Sequence, residues 1–322
     1  MKKVWVSVCV VIACVAFVVA VRPATATMPH QEEEGGPTST VTPIPLIVGV
    51  GQSNMAGKGA TPVTPFPTIA GAVKMVWDDD LEHFVWEQMS EPSSVWLNSR
   101  TSTPPHNYFY SPVTALVQHL MTEKGWTKIA FINCGVGGSY LSSWAPTFAS
   151  ASNAVNFNSC WQRITSAQST NHYKVVGVVM IHGESDAGGT PPVNYEDDMN
   201  KLYQAFNVRL QTKTAQPDRT AIPMAFLVLG ATPTGTHSKL HWATVRAIQL
   251  TLPVKYPSKN WIAVDSWGIP RDSSYHFFPI EDVDEIGILL ANGLLQLTSL
   301  PPSTPSRTPT LTLTPTPTLT PP

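Results

Sequence analysis

The fold is decided by one stretch near the amino end of the chain, Pro45-Leu46-Ile47-Val48-Gly49-Val50-Gly51-Gln52-Ser53-Asn54-Met55-Ala56-Gly57. Its apolar first half is typical of a short buried strand, and the polar and glycine residues after it predict a turn at the strand's carboxyl end. In an open α/β sheet, ligands bind at this end of the strands. Ser53 is therefore the candidate nucleophile, because its hydroxyl and nearby backbone N–H groups would face one small volume. The alternative interpretation is a serine that only caps a helix.

Beyond residue 57, apolar runs typical of buried strands alternate with segments of helical periodicity. The predicted strands are 129–133, 175–181, 224–229 and 261–265, the predicted helices are 113–121, 160–169, 195–212, 242–252 and 283–297, and 73–86 reads as a β-hairpin. This alternation predicts βαβ units, and therefore a three-layer α/β/α sandwich with a mainly parallel central sheet.

The two ends of the chain differ in composition from its centre. Residues 1–26 combine two lysines, an apolar run and a small-residue ending, which predicts a signal peptide. An uncleaved membrane anchor is the alternative, because the apolar run nearly suffices to span a bilayer. Residues 27–44 read as a flexible lead-in, 45–299 as the single folded domain, and 300–322 as a Thr/Pro-rich tail. We therefore expect a secreted or cell-surface protein.

Charge and cysteine content narrow the function further. A formal net charge of -2 and a pI near 6.5 offer no basic field for nucleic acid. Outside the predicted signal peptide only Cys134 and Cys160 remain, and they form either a disulfide or two separate buried thiols. Neither spacing nor neighbours indicate a metal site, and no cofactor is implied.

Two further polar turns follow predicted strands. Residues 135–144 are rich in glycine and follow strand 129–133, and residues 182–186 follow strand 175–181. If the sheet is parallel, both turns open on the same edge as Ser53. An ester hydrolase with a serine nucleophile would also need a base, and histidine suits that role because its unperturbed pKa lies near 6.5.

The run 51–57 resembles the first sequence block of the SGNH hydrolases, in the branch of the sialate O-acetylesterases and family-6 carbohydrate (acetylxylan) esterases. The resemblance implies a flavodoxin-like hydrolase fold and makes Ser53 the nucleophile, with Gln52 and Asn54 as supporting residues. Residues 137–144 are similar to the family's Gly-Gly-Thr-x-Ile-x-x-Trp block. By that likeness the N–H of Gly138 donates to the oxyanion, although a plain tight turn is the alternative.

Residues 182–186, His-Gly-Glu-Ser-Asp, resemble the family's Gln-Gly-Glu-Ser-Asp block. The family's glutamine is an oxyanion donor, and here His182 occupies its place, where a neutral imidazole can donate one N–H. We expect Glu184 to hold the turns together by accepting backbone N–H bonds. In the predicted helix 242–252, Arg246 and Gln249 match an Arg-x-x-Gln pattern of the family. The resemblance implies a structural role for these two residues.

His276 lies after the last predicted strand, where the family has its base histidine in an Asp-x-x-His block. Here Asp272 stands four residues before His276, and Ser273 occupies the family's aspartate position. We interpret this as a one-residue insertion that leaves Asp272 to orient His276. Glu184 is the alternative partner of that histidine.

Taken with the resemblance, the residues predict a serine esterase that removes O-acetyl groups from carbohydrates, of the acetylxylan or sialic-acid type, through an acetyl-enzyme. Its partner would be an acetylated polysaccharide or glycan. Two alternatives remain open: an esterase for another acyl ester, and a non-catalytic carbohydrate-binding protein on a degenerate SGNH scaffold.

Overall fold

The computed structural model of the 322-residue chain describes eleven ranges of residues. They are 42–58, 68–78, 83–90, 110–146, 154–169, 172–188, 191–213, 221–231, 240–271, 275–277 and 280–297. All of them belong to one compact unit. The predicted signal peptide, the Thr/Pro-rich tail and Asp272 lie outside the described residues.

The described residues form a seven-stranded sheet in the order β3-β2-β4-β1-β5-β6-β7. The strands are β1 Ile44–Gly51, β2 Ala72–Asp78, β3 His83–Gln88, β4 Ile129–Asn133, β5 Tyr173–Ile181, β6 Met224–Val228 and β7 Trp261–Asp265. Every neighbouring pair is parallel except the β2–β3 hairpin, which is antiparallel. The predicted, mainly parallel sheet is confirmed.

Seven α-helices connect or flank these strands in the described ranges. They are α1 Ser53–Ala56, α2 Val113–Lys124, α3 Val155–Gln168, α4 Glu184–Gly188, α5 Tyr195–Lys213, α6 Trp242–Lys255 and α7 Ile280–Gln296. Two details differ from the sequence prediction. Helix α3 begins at Val155 rather than Cys160, and the short helix α4 occupies the predicted third turn. Both lack a strong capping signal, so periodicity alone did not locate their first residues.

Side chains of β1 alternate between two hydrophobic layers, as the pleat of a strand requires. Leu46, Val48 and Val50 pack in one layer, which contains buried residues of α3, α5 and α6. Ile47 packs in the other layer, with buried residues of α2 and α7. The three-layer α/β/α sandwich is therefore confirmed, and β1 is buried at its centre.

The position of β1 determines where a site can form. It lies between β4 and β5, and the chain passes from the β4 side of the sheet to the β5 side across it. Such a reversal of strand order opens a crevice at the carboxyl ends of the strands, where α/β proteins bind ligands. The three polar turns that follow β1, β4 and β5 meet at this crevice.

A disulfide joins Cys134, directly after β4, to Cys160 in α3. The interpretation as two separate thiols is therefore wrong. Because Cys134 precedes the glycine-rich turn, the crosslink fixes one end of that turn to the helical layer. Among the described helices, none has both the length and the apolar character needed to cross a bilayer.

Candidate active site

Ser53 is the first residue of α1, and it is the one partly exposed residue of the run 51–57. Gln52 occupies the capping position of this helix, without a side-chain capping hydrogen bond. The interpretation of Ser53 as a helix cap is therefore wrong. Within the described residues, the backbone N–H of Ser53 has no hydrogen-bond acceptor. Its hydroxyl and its amide are both left for a ligand.

The sharp turn from β1 into α1 depends on Gly51. Its φ angle of 139° is one that side chains rarely tolerate, and a β-carbon there would lie 2.0 Å from the carbonyl oxygen of Ile181. The next amide, that of Gln52, donates to the same carbonyl at 3.0 Å. The close approach of β1 and β5 thus places Ser53 directly above the centre of the sheet.

The turn after β4 is hydrogen-bonded to Gly51 as well. The N–H of Val136 donates to the carbonyl of Gly51 at 2.9 Å, and the hydroxyl of Ser139 donates to it at 3.5 Å. Gly138, between them, has a left-handed φ of 71°, is exposed, and has no atom within 4 Å of where a β-carbon would stand. Its N–H also has no acceptor in the described part of the chain. Within the described residues, the amides of Ser53 and Gly138 thus have no acceptor, and their role as oxyanion donors stays a prediction.

Glu184 is buried beneath Ser53 and binds the side chains of the two residues that flank Ser53. The side-chain amide of Gln52 donates to one carboxylate oxygen, and the side-chain amide of Asn54 donates to the other at 2.6 Å. The oxygen of the Gln52 side chain in turn accepts the N–H of Ser185 at 3.3 Å. The donors seen here are side-chain amides, where the sequence led us to expect backbone N–H groups. Glu184 joins the first and third turns.

Asn54 also holds the segment that contains His276. Its side-chain N–H₂ donates to the carbonyl of Tyr275 at 3.0 Å, and its side-chain oxygen accepts the N–H of Phe277 at 3.2 Å. These bonds flank His276, so the histidine lies beside the residue that follows Ser53. An antiparallel bridge between Arg271 and Phe277 closes the same loop. The orienting role predicted for Asp272 stays a prediction, because that residue is outside the described ranges.

The residue before His276 has an unusual backbone conformation. Tyr275 has a φ of 71°, the only positive value at a non-glycine residue in the described part of the chain. Such a conformation is costly for a bulky side chain and persists only where surrounding contacts impose it. Here the tyrosine ring stacks on Trp242 with ring centres 5.8 Å apart, and the Trp242 indole donates to the carbonyl of Gly230 at 3.0 Å. Packing thus fixes the path of the chain into His276.

The half-buried Arg271 supports the same loop from its other end, which the sequence analysis did not anticipate. The guanidinium of Arg271 lies 4.3 Å from the centre of the Phe277 ring and donates to the hydroxyl of Ser266 at 3.3 Å. Burial lowers the pKa of Arg271 to about 10, and the negative charge of Glu184 opposes that shift. Glu184 thus favours the charged form of Arg271.

The buried His182 pairs with the half-buried Asp186 beside the glycine-rich turn. Nδ1 of His182 lies 3.4 Å from a carboxylate oxygen of Asp186, and neither ring nitrogen is accessible to solvent or in hydrogen-bond geometry. Burial lowers the pKa of His182 to about 3, although the nearby Ser139 backbone opposes this, so the ring is neutral at physiological pH. Donation from His182 to a substrate oxygen stays a prediction, and it would require the ring to become accessible.

The carboxylate of Asp186 connects the third turn to the second. Its two oxygens accept the N–H of Leu141 at 3.3 and 3.2 Å, three residues after Gly138. Burial raises the pKa of Asp186 to about 7, while the Leu141 amide lowers it and the charges of Asp198 and Glu184 raise it. The glycine-rich turn is therefore held by a carboxyl group that titrates near neutral pH.

Helix α6 fixes the carboxyl ends of β5, β6 and β7. The side-chain oxygen of Gln249 accepts the N–H of Leu229, directly after β6, at 2.8 Å. The side-chain amide of Gln249 donates to the carbonyl of His182 and to the hydroxyl of Tyr195, each at 2.9 Å. Arg246 makes two bonds of 2.7 Å to the carboxylate of Asp265 at the end of β7. The structural role that the Arg-x-x-Gln pattern implied is confirmed.

Asn133, at the end of β4, is a further supporting residue that the sequence analysis missed. Its side chain donates to the carbonyl of Met55 at 3.0 Å and accepts the N–H of Gly135 at 3.0 Å. Its own carbonyl accepts a bond of 2.9 Å from the buried guanidinium of Arg163. An asparagine that ends an apolar strand two residues before a glycine was the signal for this role. In the described ranges, no group of three or more His, Cys, Asp or Glu side chains could hold a metal ion.

A mainly parallel sheet with polar turns converging over its central strand is an open α/β fold, and its candidate site lies where such folds bind ligands. Residues 44–296 match the protein family described as carbohydrate esterase, sialic acid-specific acetylesterase. The chain belongs to that family and is, on that membership, a carbohydrate O-acetylesterase. A search of the curated proteins finds no match.

Solved structures share the fold at low sequence identity. A protein of Arabidopsis thaliana has a TM-score of 0.59 and 19% identity, over 79% of this chain and 99% of that one. The structure titled NanS has a TM-score of 0.55 and 14% identity, over 79% and 97%. A carbohydrate acetylesterase of Xanthomonas citri has a TM-score of 0.52 and 16% identity, over 77% of this chain and 56% of that one.

Proposed function

We propose that the protein is a serine esterase that removes O-acetyl groups from carbohydrates through an acetyl-enzyme. The observation that carries this proposal is the pair of hydrogen bonds between Asn54 and the two neighbours of His276, beside a serine that is partly exposed in an otherwise buried run. A nucleophile and a base must lie within reach of each other, and this arrangement supports that requirement.

In the proposed reaction, the hydroxyl oxygen of Ser53 attacks the acetyl carbonyl carbon while His276 takes the hydroxyl proton. The amides of Ser53 and Gly138 stabilise the resulting oxyanion, with His182 as a predicted third donor. The bond to the sugar oxygen then breaks, and His276 returns the proton to that oxygen. Water attacks the acetyl-enzyme, His276 takes its proton, and acetate leaves as the proton returns to Ser53.

One similar structure and the matching family both support a carbohydrate substrate. The structure is a carbohydrate acetylesterase of Xanthomonas citri, and the family description specifies sialic acid. We propose an O-acetylated polysaccharide or glycan, of the acetylxylan or sialic-acid type, as the substrate. Asp272 is the proposed partner that orients His276.

We also propose that the protein is secreted. The features of residues 1–26 support export, and the Cys134–Cys160 disulfide suits an oxidising compartment. Expression with the native amino terminus, followed by terminal sequencing of protein from the medium, tests this. A mature chain that begins just after Ala26 is expected, whereas an intact chain retained in the membrane fraction would contradict it.

The function is tested by measuring acetate release from acetylated xylan, from O-acetylated sialic acid and from a small acetyl ester. We expect activity in the parent and its loss in Ser53→Ala and His276→Ala, with unchanged unfolding midpoints. A fluorophosphonate probe should label the parent but not Ser53→Ala. The remote variant Ser169→Ala, at the end of α3, is the control and should retain both activity and labelling. A folded parent that neither releases acetate nor reacts with the probe would refute the proposal and favour a non-catalytic carbohydrate-binding protein.

A further inference from the structure

The amide of Gly138, a proposed oxyanion donor, lies in a short turn that has little packing of its own. The N–H of Ser139 donates to the carbonyl of Val136 at 3.3 Å and closes this turn, with Gly138 as its third residue. Gly138 is exposed, and among the described residues no atom lies within 4 Å of where its β-carbon would stand. The direction of its N–H therefore depends on how the two ends of the turn are held.

The first end of the turn is held by the backbone of the neighbouring strand. The N–H of Val136 donates to the carbonyl of Gly51, the last residue of β1, at 2.9 Å. Two residues earlier, the N–H of Cys134 donates to the carbonyl of Gly49 at 2.7 Å. These two bonds continue the parallel pairing of β4 with β1, so backbone hydrogen bonds fix this end.

The second end of the turn is held by side chains. The hydroxyl of Ser139 donates to the carbonyl of Gly51 at 3.5 Å, which is longer than the usual O–H···O hydrogen bond, and it accepts the indole N–H of Trp144 at 3.1 Å. Leu141, two residues further on, donates its N–H to both carboxylate oxygens of Asp186, at 3.3 and 3.2 Å. A hydrogen bond to a carboxylate is about twice as strong as one between neutral groups. Asp186 is therefore the stronger of these two anchors.

The carboxylate of Asp186 also connects the turn to the segment below the proposed nucleophile. Asp186 belongs to α4, which begins at Glu184, and the Glu184 carboxylate binds the side chains on either side of Ser53. On its other side, an oxygen of Asp186 lies 3.4 Å from Nδ1 of the buried His182. The position of the Gly138 amide relative to Ser53 thus depends on this one carboxylate.

We propose that Asp186 is a positioning residue for the esterase reaction, which holds Leu141 so that the N–H of Gly138 points at the oxyanion formed on the acetyl group. Asp186 acts through the turn rather than on the substrate. This inference rests on the proposed function, because it assigns a role at the same site. An amide that bonds only the oxyanion contributes to the transition state and not to substrate binding, so the effect should appear in kcat.

The test measures kcat and KM of the full chain for p-nitrophenyl acetate at pH 8. At that pH Asp186 is ionised, because burial raises its pKa to about 7 and no higher. Loss of a whole oxyanion donor costs about 100- to 1000-fold in kcat, so Asp186→Ala, which only loosens one, should cost about 10- to 100-fold. KM should stay within about 2-fold of the parent value. Asp186→Asn keeps an oxygen that can accept the Leu141 N–H, and it should recover most of the lost kcat.

A fluorophosphonate probe separates positioning from loss of structure, because its reaction at Ser53 also places negative charge where the oxyanion forms. Asp186→Ala should be labelled more slowly than the parent, in proportion to its kcat, but the fraction labelled at completion should equal that of the parent. Asp198→Asn is the matched control. Asp198 is also half-buried, its charge acts on Asp186, and in the described ranges its carboxylate pairs with Lys201 at 3.5 Å. This variant should change neither kcat nor the labelling rate.

An unchanged kcat in Asp186→Ala, or a change confined to KM, would overturn the proposal. So would a loss of kcat that Asp186→Asn does not restore, because the asparagine oxygen can still accept the bond. A lower labelled fraction in Asp186→Ala, together with unfolding at a lower urea concentration, would also overturn it by indicating a structural role. A folded parent that releases acetate from no ester would instead refute the proposed function.

Discussion

Replacement of Asp186 by asparagine should change the pH dependence of stability. The ordinary pKa of an aspartate is 3.8, and burial raises that of Asp186 to about 7 in the folded protein. Well below pH 3.8 the group is protonated in both states, so its ionisation has no effect on folding. As the pH rises from 4 to 7, the unfolded chain releases the proton and the folded protein retains it. The stability associated with this group is therefore present at low pH and is lost as the pH rises through the folded pKa.

The magnitude follows from the two pKa values. Each pH unit between them corresponds to about 1.4 kcal/mol, so the parent loses about 4 kcal/mol through this group between pH 4 and pH 8. In the Asp186→Asn variant the side chain cannot ionise, so the variant does not lose this stability as the pH rises. We expect the free energy of unfolding of the variant, minus that of the parent, to rise by about 4 kcal/mol over this range.

Urea denaturation at intervals from pH 4 to pH 8 measures that difference. Asp265→Asn is the control of opposite sign, because bonds to Arg246 lower the pKa of Asp265. Its stability contribution is present above the unfolded pKa and is lost as the pH falls through the folded one. A flat difference for Asp186→Asn would refute the burial argument. A difference that falls with pH would show that His182 is protonated and forms a buried ion pair with Asp186.

Three further changes test the framework of the site. Glu184→Gln should lower the free energy of unfolding by about 3 kcal/mol or more in urea denaturation, because two buried bonds to a charged group are lost or mismatched; a cost below about 1 kcal/mol would contradict this. Cys160→Ala removes a crosslink to Cys134 across 26 residues and should cost about 3.5 kcal/mol by the chain-entropy estimate, with no additional effect of a reducing agent. Gly51→Ala should prevent normal folding, seen as loss of soluble protein or of the cooperative unfolding transition, because its β-carbon would meet a strand carbonyl, whereas Gly268→Ala, with open space around it, should fold normally.

The strands and most helices could be predicted because their signals are local. The apolar run of β1 and the helical spacing of α2, which ends at Gly125, each fix an element within a few residues of sequence. Strand order is different, since it depends on contacts between distant segments. The sequence predicted that polar turns would converge, but it did not predict that β1 would lie between β4 and β5.

The supporting contacts of the site were harder to predict for the same reason. Motif similarity identified Glu184, but its partners 132 and 130 residues away became clear only in three dimensions. Nothing in the local sequence marks Tyr275 as left-handed, because the conformation comes from stacking on Trp242 and from bonds to Asn54.

The order Gln52-Ser53-Asn54 has a physical explanation in this fold. The two amide side chains are buried on Glu184, whose two carboxylate oxygens can accept one bond from each, and Ser53 between them is left at the surface. Asn54 has two N–H donors and one acceptor oxygen, and the three bonds to Glu184, Tyr275 and the following segment use all of these groups. An aspartate could not donate, and a glutamine would place the amide one carbon further away. The residue beside the proposed nucleophile is therefore the one that places the histidine segment, so the partial exposure of Ser53 and the position of its proposed base, His276, depend on the same buried contacts.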